Sequence, residues 1–137
     1  MTTTFENIEA ALYGALNSAL TTTPISWPNI RYEPVSGQSF VEVYLEHRSA
    51  RRVTVGANPW MEYRGFLRLH VAVPVHMGAT PAAVIQDLIS SGFAPGSTCT
   101  SSGVVVRILE VTPDRNFTQK TWTIFPIEVR WVCEVQG

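Results

Sequence analysis

Lysine is nearly missing from this sequence: Lys120 stands alone beside nine arginines. Charge of either sign is scarce, at 15% of residues, and ten basic against 11 acidic side chains leave a net charge of -1. That balance excludes the basic footprint of a free-standing nucleic-acid binder, so counterion release is not its main source of affinity. Cysteine amounts to Cys99 and Cys133, far apart and without C-x-x-C or Cys/His ligand spacing, so reduced structural thiols are expected. No window approaches the roughly 18 consecutive apolar residues of a membrane helix, and the start lacks the basic and apolar regions of a secretory signal. A soluble chain made in the cytosol, with no membrane attachment, is expected, and Asn116-Phe117-Thr118 is then a chance match to a glycosylation acceptor. The arginine excess fits contact surfaces, because arginine is the less hydrated, bidentate cation, or a GC-rich compositional bias.

What is present is enough for one domain. At 137 residues and 45% hydrophobic content, the chain can bury roughly 68–70% of its unfolded surface. Phe5, Ile8, Leu12, Ala15, Leu16 and Ala19 fall on one face of a helix over residues 4–20, with Thr3 and Glu6 spaced as a capping box. Thr21 to Pro24 ends it. Pro24 and Pro28 forbid a central strand around Trp27, which is expected to anchor an extended connection.

Period-two alternation predicts a strand over Phe40–His47 with Val41, Val43 and Leu45 inward. A second short strand is expected at Arg51–Val55 and a third at Gly65–Val73 with Leu67, Leu69, Val71 and Val73 on one face. Thr80 as N-cap and Pro81 at the first helical position predict a helix to about Ser91, with Val84, Ile85, Leu88 and Ile89 buried and Gly92 as its left-handed cap. Phe93 should fold back on the core. A flexible polar stretch, Ser97–Gly103, leads to a strand over Val104–Val111. The longest strand, Lys120–Val135, places Phe125, Ile127, Val129, Trp131, Cys133 and Val135 on one face, with Pro126 marking an edge or a bulge in an outer strand. The expected fold is a single α+β domain of order α-β-β-β-α-β-β, its two helices packed on one face of a mainly antiparallel sheet.

The sequence carries no G-x-S-x-G elbow, H-E-x-x-H pair, glycine-rich phosphate loop or calcium loop. His47, His70 and His76 lack ligand spacing, and Glu42 and Glu46 read as solvated outer positions. No catalytic residue, metal or cofactor is expected, and an enzyme remains open only through a constellation assembled from distant segments.

Two features look like association surfaces. His47-Arg48-Ser49-Ala50-Arg51-Arg52 concentrates cationic donors at an expected strand-to-strand turn, with Arg64 and Arg68 close by; it suits a neighbour's carboxylates or passing phosphates, or is a solvated turn balancing Glu42, Glu46 and Glu62. The loop bearing Trp60, Met61 and Tyr63 carries residue types enriched at interface cores, and either reaches a partner or covers its own core. A soluble α+β assembly subunit is favoured over an enzyme.

The run Ile25-Ser26-Trp27-Pro28-Asn29, followed by Tyr32 and Pro34, resembles the tail terminator-like proteins of long-tailed phages, relatives of the lambda-type tail terminator. The likeness continues through Phe40-Val41-Glu42-Val43, Val53 with Gly56, Arg64-Gly65, Val71-Ala72-Val73-Pro74, Gly78, Phe93, Trp122, Pro126 and Trp131, and covers essentially the whole chain. Trp27, Pro28 and Trp131 are its structural anchors. The resemblance implies a virion structural protein at the head-proximal end of the tail, assembled in the host cytoplasm. It would form a ring, typically a hexamer, that caps the tail tube, stops its polymerisation and offers a docking surface to the head-tail connector. Its partners would be copies of itself, tail tube protein and connector proteins, with DNA passing unread through the channel. Arg48, Arg51 and Arg52 are then expected at a subunit boundary or lining the channel, and Trp60, Met61, Tyr63 and Arg64 at a contact with a neighbour or the tail. The alternatives are a head-to-tail joining (neck) protein, or a small cytosolic enzyme or ligand-binding module with a deep pocket.

Overall fold

Alternating apolar residues do form the two central strands, but these run well past their apolar stretches. The computed structural model describes residues 4–136, which form α1 (Thr4–Ala19), β1 (Ile25–Ser26), β2 (Phe40–Arg52), β3 (Trp60–Pro74), α2 (Thr80–Gly92), β4 (Thr98–Ser101), β5 (Val104–Pro113), β6 (Phe117–Gln119) and β7 (Trp122–Gln136). The sheet order is β1-β2-β3-β7-β5-β4, with β6 also pairing β7. Only the β1–β2 pair is parallel. The expected α-β-β-β-α-β-β order holds, with β4 and β6 as short additions. The Thr3 capping contact lies outside the described residues.

The segment expected to turn between two strands is instead one continuous strand. β2 spans 13 residues and changes register between His47 and Ser49, so Arg48 is the extra residue of a β-bulge. The real connection is residues 53–59, and Trp60, Met61 and Tyr63 belong to β3 rather than to a loop. Cross-strand pairing carries this extension: Arg51 lies opposite Glu62, and opposite charges stabilise a strand pair where apolar alternation has ended.

Ser97–Gly103 is not a flexible tract. Ser102 and Gly103 both take positive φ, 50° and 82°, the geometry of a two-residue hairpin turn joining β4 to β5. Nor is β7 an outer strand: it lies between β3 and β5, and its register with β3 is unbroken from Trp60↔Gln136 to Pro74↔Trp122. Pro126 is tolerated there because β5 ends at Pro113 and β6 begins at Phe117. Its carbonyl accepts the Asp114 N–H at 3.0 Å across that gap, so its missing donor faces the break between β5 and β6 and not the β3 ladder.

α2 departs from expectation in three ways. Ala79, not Thr80, is the N-cap, and it provides no side-chain cap. Gly92 is a helical residue followed by Phe93 as C-cap, and a β-carbon at Gly92 would lie 2.6 Å from Ala19 Cβ. It is a close-approach glycine between two helices, not a left-handed cap. The buried stripe is Ala82, Ile85 and Ile89, while Val84 and Leu88 are 55% and 39% exposed. The helix has two apolar stripes and can bury one; the stripe with the small Ala82 admits the closer packing.

Both helices lie on one face of the sheet. Ile8, Leu12 and Leu16 of α1 and Ile85 and Ile89 of α2 pack on Val41, Val43, Leu67, Leu69, Val71, Val73, Ile127, Val129, Trp131 and Cys133. Phe93 is fully buried, as expected. Phe5 is not: it is 46% exposed, with its ring edge-on to His47 at 4.7 Å and to Tyr63 at 5.6 Å. A second cluster lies on the opposite face, where Phe40, Ala72 and Ile124 are covered by Tyr32 and Trp122. The sheet is therefore buried on both faces at its Pro74 end and bare on its outer face toward the 53–59 connection.

Candidate interaction surface

The bare outer face carries most of the arginines singled out from sequence, each tied to a carboxylate. Glu62 is 6% exposed and lies between Arg64 Nε, at 2.7 Å, and Arg51 Nε, at 3.1 Å. The Arg64 hydrogen bond, together with the charges of both guanidiniums, holds the Glu62 carboxyl below the usual carboxylate range. Arg48 bonds Glu46 at 3.2 Å; Arg68 reaches Glu46 at 3.2 Å and Glu128 at 3.8 Å. Arg130 pairs with Glu110 at 3.8 Å. Exposed pairs of this kind contribute roughly 0.2–1 kcal/mol each, so their effect is to fix side-chain positions on the face more than to stabilise the fold.

Phe66 is the residue that sequence reading missed. The guanidiniums of Arg48, Arg68 and Arg130 lie 5.4, 5.6 and 5.4 Å from its ring centroid, within cation–π range. It faces outward because Phe66 alternates with the buried Leu67. The β2 bulge supplies the third cation by turning Arg48 toward it. Arg52 differs from its neighbours: it is exposed and makes no ion pair with a described residue.

Trp60, Met61 and Tyr63 do not act together. Trp60 is 42% exposed at the mouth of the β2–β3 connection. There its N–H donates to Thr54 Oγ1 at 2.7 Å and its carbonyl accepts the Val53 N–H at 2.9 Å. Met61, opposite Arg52 and Val135, is half-buried. Tyr63 packs on Phe5 and belongs to the chain's own core margin. Next to Trp60, Val53 and Val55 are 41% and 91% exposed, giving the connection an apolar tip.

The three residues expected as anchors sit in different surroundings. Trp131 is fully buried. Trp27 packs on Tyr13 with centroids 5.0 Å apart, and Pro28 is half-buried beside it. Burial pushes the Cys99 and Cys133 thiols up to about 11. Burial also lowers His70, which lies between Tyr44 and Phe117. Among the described residues no group of three or more His, Cys, Asp or Glu could hold a metal ion, and no helix is long and apolar enough to cross a membrane. One surface depression is bounded by Trp60, Val105, Arg107, Val132 and Glu134. The arrangement is suited to contact over a broad face.

Residues 7–131 match the family described as Phage tail terminator protein. The chain belongs to the phage tail terminator family. The matched segment starts at Asn7, a buried residue of α1, and ends at Trp131, so it takes in the three anchors and every candidate contact residue of this tail terminator family member. Solved structures share the fold. One superposes with a TM-score of 0.77 and 19% identity over 96% of each chain. Another, from a particle described as the virion of a native gene transfer agent, gives 0.56 and 14% identity over 100% of both chains. No curated protein matches the chain.

Proposed function

We propose that this chain is a structural virion protein that forms a ring, typically a hexamer, at the head-proximal end of a phage tail. There it caps the tail tube, halts its polymerisation and presents a docking surface to the head-tail connector. The observation that carries this reading is the tail terminator family match over residues 7–131. The virion particle whose component shares the fold along the full length of the chain adds support, as does a surface built for broad contact.

The mechanism is steric. A ring closes through contacts between two different patches whose rotation returns to the start. One ring face complements the growing tube, and the other lacks the surface a further tube ring would need. Arg48, Arg51 and Arg64 already hold carboxylates, so the outer face meets a partner as a nearly neutral lattice of fixed donors and acceptors. This favours a protein neighbour for these side chains over the DNA that would pass through the channel.

Electron microscopy of the purified protein, alone and with tail tubes, tests the reading. Rings seated at one end of each tube are expected. A chain that binds portal-side proteins and ignores tubes would make it a neck protein, and a monomer indifferent to both would overturn the assembly role.

A further inference from the structure

Two of the exposed apolar surfaces lie far apart on one chain, each with a charge that has no partner among the described residues. The first is the tip of the β2–β3 connection, where Val55 is 91% exposed beside Val53 and Trp60. Hydrogen bonds from Val53 to Trp60 and from Trp60 to Thr54 close the base of the connection. The charge beside it is Arg52, the only arginine of β2 and β3 without a carboxylate among the described residues.

The second surface is the outer stripe of α2. Val84, Asp87 and Leu88 stand at i, i+3 and i+4 and so share a face. Val84 and Leu88 are exposed, and Asp87 is the only charged residue of the helix. Asp87 makes no ion pair with a described residue.

One copy cannot join these surfaces by itself. The start of α1 lies under His47 and Tyr63 through Phe5, and its last residue, Ala19, touches Gly92 at the end of α2. The 16 residues of α1 span about 24 Å, and the tip projects further in the opposite direction along β2 and β3.

We infer that the 53–59 tip of one copy seats on the Val84–Asp87–Leu88 stripe of a second copy, with Arg52 meeting Asp87. The charge decides among the apolar seats. At another exposed platform, formed by Tyr13, Trp27, Pro28 and Ile30, the nearby carboxylates are already engaged, Glu9 facing His47 at 3.8 Å and Glu33 holding Arg31 at 2.7 Å. Because the two patches differ, the contact is head-to-tail and continues from copy to copy until it closes. The inference rests on the ring reading above and specifies one of its seams.

Native mass spectrometry and light scattering test it on Val55→Asp, Leu88→Asp, Arg52→Glu, Asp87→Arg and the Arg52→Glu/Asp87→Arg double variant. All the altered side chains are exposed, so unchanged circular dichroism and melting are the control for folding. The two aspartate variants are expected to run as monomers where the parent forms rings. Each single charge change should weaken assembly by up to about fivefold, and the double exchange should restore it. Val55→Cys combined with Leu88→Cys should give covalently linked copies on oxidation, and neither single cysteine variant should. Rings that persist in both aspartate variants, or no linkage in the cysteine pair, overturn the contact and leave the ring reading standing. Rings lost in Val55→Asp and Ile30→Asp but kept in Leu88→Asp overturn the α2 seat. A parent chain that is monomeric at every concentration and on tubes overturns the ring reading and this contact together.

Discussion

Gly65 and Trp131 are direct partners on β3 and β7, and the indole of Trp131 occupies the space a side chain at position 65 would need. A β-carbon there would lie 2.5 Å from Trp131 Cζ2 and would also strike the carbonyl of Glu46. The glycine is what lets a tryptophan lie flat on the strand beside it and reach His47, 5.7 Å away between ring centroids.

Gly65→Ala should therefore cost about 1–3 kcal/mol by overpacking, since one of the obstructing atoms is backbone. A urea titration monitored by Trp fluorescence should show a lower midpoint. A midpoint equal to the parent's would mean that the indole has another place to go.

Acidification should act through Glu62. Its folded carboxyl is held low, first by the Arg64 hydrogen bond, so its contribution is complete above the unfolded carboxylate value of about 4.3. That contribution disappears as pH falls from there through the lower folded value. As pH falls below about 4.3, the parent should lose stability more steeply than Glu62→Gln. Parallel melting curves for the two across this range would contradict the assignment.

Both thiols should be slow. Cys99 and Cys133 are each opposite Val106, on strands to either side of β5, about 10 Å apart at two strand spacings, too far for a disulfide. With burial pushing both up to about 11, little thiolate exists at pH 8. Intact-mass analysis should find two iodoacetamide adducts in denaturant and neither in the native protein on the same timescale.

Trp60→Ala separates stability from assembly. The side chain is 42% exposed at the open end of the sheet, so melting should change by only about 0.5 kcal/mol, whereas ring formation or tail joining should fail. Intact rings that still join tails would remove Trp60 from the contact surface.

The legible parts of the sequence were those where one physical signal acted alone. Leu67, Leu69, Val71 and Val73 alternate without interruption and are fully buried, and Trp131 and Cys133 continue the same rule on β7. The hidden parts were settled by partners distant in sequence. Arg48–Arg52 reads as a turn until Glu62 is placed opposite Arg51. Val84 and Leu88 read as core until Ala82 proves the closer fit. Gly92 reads as a cap until Ala19 is found against it. Ser102-Gly103 was a readable turn signal, obscured by the polar residues before it. Of the candidate contact surface, the arginines and Trp60 were visible as residue types. Phe66 was not, because its neighbours come from three strands.

The aromatic cover of Tyr32 and Trp122 over Phe40, Ala72 and Ile124 divides the molecule mechanically. Strand ends clamped between two hydrophobic layers open only with the whole fold, whereas ends with one layer open locally. Amide exchange should grade along β3, slowest near Ala72 and fastest near Trp60, so a single sheet is stiff at one end and yielding at the other.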